Sequence, residues 1–155
     1  MPMAHAHGWR SIEIGILRQE LDSMARTLYL LNEPRRKRRS ALLMQATSPG
    51  QRWGIRDGEI AEPARRHGGW VDMVYKFSSR FIHLSNQHDY MVRDPFQALA
   101  PSERVEMTEY LNFYHHGDLT ANSTFADVIE YVPRVFQKIS DNLDYYLDEL
   151  EGKAR

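Results

Sequence analysis

Three polar side chains that could act together are spaced four residues apart in the stretch 70–86. On a helix, Tyr75, Ser79 and His83 would form one column, because residues four positions apart are neighbours on the helical surface. Arg80 follows Ser79 directly and would lie beside this column. An imidazole can exchange a proton near neutral pH, and a guanidinium matches the geometry of a phosphate. The spacing therefore predicts a candidate catalytic pair, with His83 as general base and Arg80 as the phosphate-binding group.

The same column also has a structural interpretation. Its two hydroxyl groups and its imidazole could bond to one another at the edge of a core, with Glu20 as a further partner from the first long helix. Buried polar groups need hydrogen-bond partners, and the side chains of such a row can serve as partners for one another. The sequence leaves both interpretations open, a buried hydrogen-bond column and a site that handles phosphates.

Helices must position these side chains. Apolar residues recur at intervals of three and four, which is typical of amphipathic helices, in the segments 11–31, 70–86 and 124–151. Thr124 and Asp127 match a capping box at the start of the last segment. Pro133 lies inside the same segment and predicts a kink or a break there. These three helices would frame the fold.

Shorter segments complete the predicted architecture. One helix should follow Pro34, and another should begin at Ser102. The segment 47–69 is rich in Gly and Pro, and Asp57-Gly58 could form the two-residue turn of a small hairpin. The sequence thus predicts an all-α fold, a helical bundle of four to five helices with a long loop or a small hairpin between the second and the third.

Composition points to one globular domain. The chain has 155 residues, of which 42% are hydrophobic and 26% are charged, as in ordinary globular proteins. We expect residues 1–10 to be a flexible N-terminus and residues 11–155 to form the single domain.

The absence of cysteine excludes disulfides and thiolate metal sites, and no motif indicates a cofactor. No apolar run could cross a membrane and no secretory signal is visible, so we expect a cytoplasmic protein.

Positive charge is concentrated in one part of the chain. Residues 35–66 contain nine Arg or Lys against three acidic residues, whereas residues 101–155 contain five against eleven. The densest part is the run of Arg35, Arg36, Lys37, Arg38 and Arg39. Cations at the start of a helix oppose its dipole, so local helix stability does not explain this run. It could bind a nucleic acid or an acidic protein, or it could pair within the chain, for example with the acidic C-terminal helix.

Two groups of histidine and aspartate raise the alternative of a metal site. They are His83, His88 and Asp89, and His115, His116 and Asp118. Metal sites in helical bundles usually take ligands three or four positions apart from facing helices. Neither group has this spacing, so we predict no metal ligand and keep a His/Asp metal-binding bundle as an alternative.

Two stretches resemble a group of mostly uncharacterised bacterial proteins. LRQELDSMARTLYLL carries an Arg and a Glu within the stripe of the first long helix, and YKFSSRFIH carries the Tyr-x3-Ser-x3-His row of the third. Together they resemble the HEPN (higher-eukaryote and prokaryote nucleotide-binding) superfamily over residues 11–46 and 70–86. The resemblance implies a small helical bundle, often dimeric, in which polar residues of these two helices meet inside. In this chain they would be Arg18, Glu20, Tyr75, Ser79 and His83.

The resemblance does not extend to a catalytic motif. Ribonucleases of that superfamily use an Arg followed by a His after four to six residues. No Arg-His pair in this chain has that spacing, and only two residues separate Arg80 from His83. We therefore expect a non-catalytic or accessory module for binding or oligomerisation. Its candidate partners are a second copy of the chain and a nucleic acid or acidic protein. The alternative is an RNA- or nucleotide-handling enzyme with Arg80 and His83 at its site.

Overall fold

The structure, a computed structural model, describes residues 1–50, 52–82 and 94–153. The regular elements in these ranges are all helical, which confirms the all-α prediction. No helix in the described ranges is both long enough and apolar enough to cross a membrane. Additional helices lie at the N-terminus and in the connections. The elements are α1 Pro2–Ala6, α2 Arg10–Asn32, α3 Arg36–Thr47, α4 Asp57–His67, α5 Trp70–Ile82, α6 Pro101–His115, α7 Phe125–Ile129 and α8 Val132–Leu150.

The central helix of the bundle is α2. It packs against α8, α4 and α5. Its apolar stripe is buried at Ile14, Leu17, Leu21, Met24 and Leu28, as the three- and four-residue spacing predicts. Burying one such side chain contributes roughly 1.5–3 kcal/mol, so this stripe is a major source of the stability of the bundle.

The third long helix, α5, turns its apolar face toward this core. Val71, Val74 and Phe77 are buried there. Tyr75 and Ser79 are half-buried and therefore lie at the edge of the core. This is the arrangement expected of a helix that carries a polar column beside an apolar stripe.

The last predicted helix is divided in two. Thr124 and Asp127 form the predicted capping box at the start of α7, and the N–H of Thr124 lies 2.7 Å from the Oδ2 of Asp127. Pro133 lies in the first turn of α8. Backbone N–H groups in a first turn have no acceptor within the helix, so the missing N–H of proline removes no helical hydrogen bond. The predicted break therefore occurs between α7 and α8, and Val135 and Ile139 of α8 join the core beyond it.

The small hairpin predicted at Asp57-Gly58 is wrong. These residues begin α4, whose Ile60 and Ala64 are buried where α4 packs against α2. Asp57 and Glu59 lie in the first turn of α4, where acidic groups complement the positive end of the helix dipole. The helical spacing of the buried apolar residues therefore decides the structure of this segment. An Asp-Gly pair can begin a helix as well as form a turn.

Residues 1–10, for which the sequence predicts a flexible N-terminus, contain α1. Ala4 is buried, and the Nδ1 of His5 lies 2.8 Å from the carboxylate of Glu13 in α2. Glu13 is 0% exposed, and Arg10 also donates to it at 3.3 Å. A buried carboxylate needs such partners, and the one from α1 holds this segment against the bundle.

The ends of α6 differ slightly from the prediction. Ala100, rather than Ser102, takes the N-cap position, and its N–H bonds to the carboxylate of Glu103 at 3.0 Å. His116 terminates the helix with a φ of 53°, a left-handed conformation that is uncommon for residues other than Gly.

Glu13→Ala should loosen α1. The free energy of unfolding should fall by about 1–3 kcal/mol, because an acceptor of two buried hydrogen bonds is lost. Amide exchange at residues 5–9 should accelerate, which hydrogen exchange and mass spectrometry would measure. Glu20→Ala, which changes a half-buried Glu on the same helix, is the matched control and should alter neither quantity. Unaltered exchange at residues 5–9 in Glu13→Ala would contradict the role assigned to this carboxylate.

Candidate functional site

Arg18 is the centre of a polar cluster between α2 and α5. It is 8% exposed, and its Nε and Nη2 each lie 3.0 Å from the Oδ1 of Asp22, one turn along the same helix. Its Nη1 donates to the hydroxyl of Ser79, and its guanidinium lies 3.6 Å from the ring centroid of Tyr75. An ion pair, a charged hydrogen bond and a cation–π contact thus tie α2 to α5.

Arg65 extends this cluster from α4. Its guanidinium lies 5.6 Å from the ring centroid of Tyr75, and its Nε lies 3.1 Å from the carboxylate of Asp72. The Nζ of Lys76 lies 2.6 Å from the other oxygen of Asp72, and this hydrogen bond raises the pKa of Lys76. Asp22 and Asp72 thus offset most of the positive charge that the cluster brings together.

The structure brings together Arg18, Tyr75 and Ser79 of the predicted binding residues, but not Glu20. Residues two positions apart on a helix point about 200° apart, so Glu20 faces away from Arg18. Asp22 is the acidic partner instead, because a four-residue spacing places it one turn away. Asp22 was not predicted in this role, although its spacing of four residues from Arg18 was the signal that could have identified it.

The candidate catalytic pair lies largely outside the described structure. Arg80 is part of α5, but its side chain is not among those described, and His83 falls outside the described ranges. The pair therefore stays a prediction. Within the cluster, all three guanidinium nitrogens of Arg18 are engaged by Asp22 and Ser79. Arg18 therefore connects two helices and does not present its guanidinium to a phosphate.

The basic run divides into two parts. Arg38 and Arg39 bind Glu33: the Nε of Arg38 lies 3.3 Å from its carboxylate, and Arg39 donates to its carbonyl oxygen at 2.8 Å. The predicted pairing within the chain therefore occurs for these two cations, with Glu33 rather than with the acidic C-terminal helix.

The other three cations of the run point into solvent. Arg35, Arg36 and Lys37 are exposed, and none of them forms an ion pair with another residue that the structure describes. We call these three residues the α3 basic surface. Its charges are available to a partner because no carboxylate in the described part of the chain neutralises them at contact distance.

Most of α3 lies on the outside of the bundle. Leu42 is its buried residue, whereas Met44 is 70% exposed. The indole N–H of Trp53 donates to the carbonyl oxygen of Leu42 at 3.1 Å, and the Trp53 ring lies 6.1 Å from that of Tyr29 on α2. The loop after α3 thus anchors the helix while the helix contributes little to the core.

The second group of candidate metal ligands is dispersed. His115 is buried, and its Nε2 lies 3.3 Å from the hydroxyl of Tyr110. His116 and Asp118 are exposed. No set of three potential metal ligands occurs among the residues that the structure describes. The first group, His83, His88 and Asp89, lies outside the described residues.

His115 and Tyr110 form a fixed hydrogen bond near the end of α6. Burial lowers the pKa of His115, and the neighbouring cations Lys138 and Arg134 lower it further. Burial likewise raises the pKa of Tyr110 well above its usual value. A neutral imidazole beside a protonated phenol can accept the hydrogen bond of the phenol. The pair therefore suits a structural contact that is made at neutral pH.

A cleft of about 1070 Å³ opens beside α6. Its walls come from the start of α5, from α6 and from α8. This cleft was not predicted from the sequence, because its residues are far apart in the chain and meet only when these helices pack. The density of aromatic residues at 110–114 was the signal available. The side chains that give the cleft its character are Trp70, Tyr110, Phe113, Tyr114, Lys138 and Tyr146.

Arg18 and Ser79 should contribute to stability as a coupled pair. Arg18→Met should lower the free energy of unfolding by about 1.5–3 kcal/mol, because it removes hydrogen bonds that involve a charge. Glu20→Met on the same helix should change it by less than about 0.5 kcal/mol. Combining Arg18→Met with Ser79→Ala in a double-mutant cycle, measured by urea denaturation, should give a coupling energy of at least about 0.5 kcal/mol. Simple additivity would contradict the contact.

Stability should fall as the pH drops through the titration range of histidine. The pKa of folded His115 is lowered, so below about pH 6.5 the unfolded chain binds a proton that the folded chain does not. The contribution of this group is therefore complete above that pH and is lost below it. Denaturation between about pH 5 and pH 8 should show a shallower pH dependence for His115→Gln than for the wild type. His116→Gln is the exposed control and should keep the wild-type slope; an unchanged slope in His115→Gln would contradict the assignment.

Comparisons with protein-family models, with curated proteins and with solved structures found no match to this chain. The resemblance to the HEPN superfamily and the homodimer that it implies therefore stay predictions.

Proposed function

We propose that the protein is a HEPN-like helical module that binds a partner without catalysis, and that the α3 basic surface holds the phosphate backbone of a nucleic acid. The observation that carries this proposal is the exposure of Arg35, Arg36 and Lys37 on an outer helix, with no described carboxylate paired to them. Clustered cations of this kind attract polyanions, and binding is strengthened by the release of counterions.

The position of these charges supports a ligand rather than a structural role. Cations in the first turn of a helix raise its free energy by opposing the dipole. Arg35, Arg36 and Lys37 therefore weaken α3, and an anion placed against them would remove that cost. Arginine also matches phosphate oxygens with two parallel hydrogen bonds. A phosphate backbone thus suits this surface better than scattered carboxylates of an acidic protein.

The Arg18 cluster supports the absence of catalysis in this proposal. Its guanidinium is engaged by Asp22 and Ser79 and covers the ring of Tyr75. Side chains committed in this way stabilise a helix pair. Their meeting between α2 and α5 also agrees with the interior polar contact that the HEPN resemblance implies.

The second candidate function is an RNA- or nucleotide-handling enzyme. It is favoured by the location of Ser79 at the edge of the core, because Ser79 directly precedes Arg80 and is four positions before His83 in the sequence. The same binding experiment separates the two candidates when the RNA is recovered and inspected afterwards.

Replacing Arg35, Arg36 and Lys37 with Gln should abolish most of the salt-dependent binding of a single-stranded RNA. Removing three phosphate contacts should reduce the slope of log K against log salt concentration by about 2. Fluorescence anisotropy at several salt concentrations would measure this. The control Arg56→Gln, Arg66→Gln, Lys153→Gln carries the same change in net charge at exposed sites elsewhere and should bind normally.

Three outcomes would contradict the proposal. Normal binding by the Arg35, Arg36 and Lys37 variant would remove the surface assigned to RNA. Preference for a polyglutamate of equal charge over RNA would indicate an acidic protein as the partner. Cleavage of the recovered RNA that is lost in His83→Ala would establish the enzyme in place of the binding module.

A further inference from the structure

The ammonium of Lys138 lies among three aromatic rings in the cleft beside α6. Its Nζ is 3.8 Å from the ring centroid of Tyr114, 4.9 Å from that of Trp70 and 5.2 Å from that of Tyr110. Trp70 and Tyr110 are nearly parallel, with centroids 6.1 Å apart and an angle of 15° between their planes. Lys138 comes from α8 and the rings come from α5 and α6, so the packing of three helices creates this arrangement.

Lys138 has no carboxylate within ion-pairing distance among the described residues. It is half-buried, and the loss of water around its ammonium lowers its pKa. Aromatic faces stabilise a cation in part, but a partly buried charge remains costly without an opposite charge. An anion that entered the cleft would supply the opposite charge that the described residues do not provide.

The position of Trp70 in the wall of the cleft depends on Gly68. A Cβ at Gly68 would lie 2.5 Å from the indole Nε1 of Trp70, so only glycine permits the ring to fold back at this position. The floor is apolar, with Leu28 and Val71 among its buried residues. The volume of about 1070 Å³ is slightly above the range typical of small-molecule sites, about 300–1,000 Å³.

Acidic residues at the rim restrict the charge of the occupant. Glu106 and Glu109 also line the cleft and are exposed. They would repel a ligand with several negative charges, such as a nucleoside triphosphate, more strongly than one with a single charge. One cation inside and two carboxylates at the rim therefore favour a single anionic group that reaches Lys138.

We propose that this cleft is a binding site for a small aromatic monocarboxylate, separate from the α3 basic surface. The carboxylate contacts the ammonium of Lys138, and the aromatic body lies against Trp70 and Tyr114. Offset stacking and edge contacts with these rings hold a planar ligand, and Phe113, which is 76% exposed, covers its outer end. The occupant is therefore a planar apolar acid rather than a nucleotide.

Calorimetric titration with three ligands of the same shape tests the proposal. They are 2-naphthoate, the neutral 2-naphthamide and the cationic 2-naphthylmethylammonium. At neutral pH the protein should bind 2-naphthoate at least about tenfold more tightly than the amide, because a hydrogen bond to a charged group is lost in the amide. The ammonium compound should bind most weakly, since it would meet Lys138 with a like charge.

Matched variants assign the effect to one side chain. Lys138→Met keeps the length of the side chain and removes its charge, so it should erase the preference for 2-naphthoate over the amide. Lys138→Arg should keep that preference, and Lys153→Met, at an exposed position, should bind as the wild type does. Circular dichroism and thermal unfolding would establish that each variant is folded before its affinity is compared.

The proposal is overturned by any of four results. These are no binding of 2-naphthoate at millimolar concentration, equal affinity for acid and amide, tighter binding of the ammonium compound, and an unchanged preference in folded Lys138→Met. A second copy of the chain could instead cover the cleft. Sedimentation would then reveal a dimer that Tyr114→Arg dissociates and that 2-naphthoate does not, which would also overturn the proposal.

Discussion

A helix enclosed by other helices has to bury some of its polar residues, and this constraint governs the structure around α2. The helix packs against α4, α5 and α8, and Glu13, Arg18 and Thr27 are buried in it. A buried polar group without a partner costs a few kcal/mol, so each of the three must have one. The partners are His5 and Arg10 for Glu13, Asp22 and Ser79 for Arg18, and the carbonyl oxygen of Ser23 for Thr27.

These partners also determine which neighbours α2 holds in place. Glu13 holds α1 through His5, and Arg18 holds α5 through Ser79. Apolar contacts alone would allow small rotations of one helix against another, whereas a charged hydrogen bond fixes the register of the pair. Polar residues that look like a site in the sequence can therefore act as connections. The cations of the α3 basic surface and of the cleft beside α6 lie outside these contacts.

The long elements could be predicted from the sequence because their spacing repeats many times. The stripe from Ile14 to Leu28 and the break at Pro133 depend on local periodicity and on proline chemistry, which one sequence contains. The start of α4 could not be predicted, because Asp57-Gly58 suits both a hairpin turn and a helix start and the decision comes from packing against α2. The environment of Lys138 was also unpredictable, since its rings come from helices distant in the chain.

The α3 basic surface and Lys138 differ in their surroundings, and this difference separates their ligands. Arg35 to Lys37 are in contact with water, where salt screens a charge within about 10 Å at 0.1 M ionic strength. One such cation contributes little, so binding there requires several phosphates in a row and weakens steeply with salt. Lys138 is partly enclosed by rings, where the effective dielectric constant is lower and screening is weaker. A single enclosed charge can therefore select one carboxylate at a salt concentration that removes a polyanion from α3.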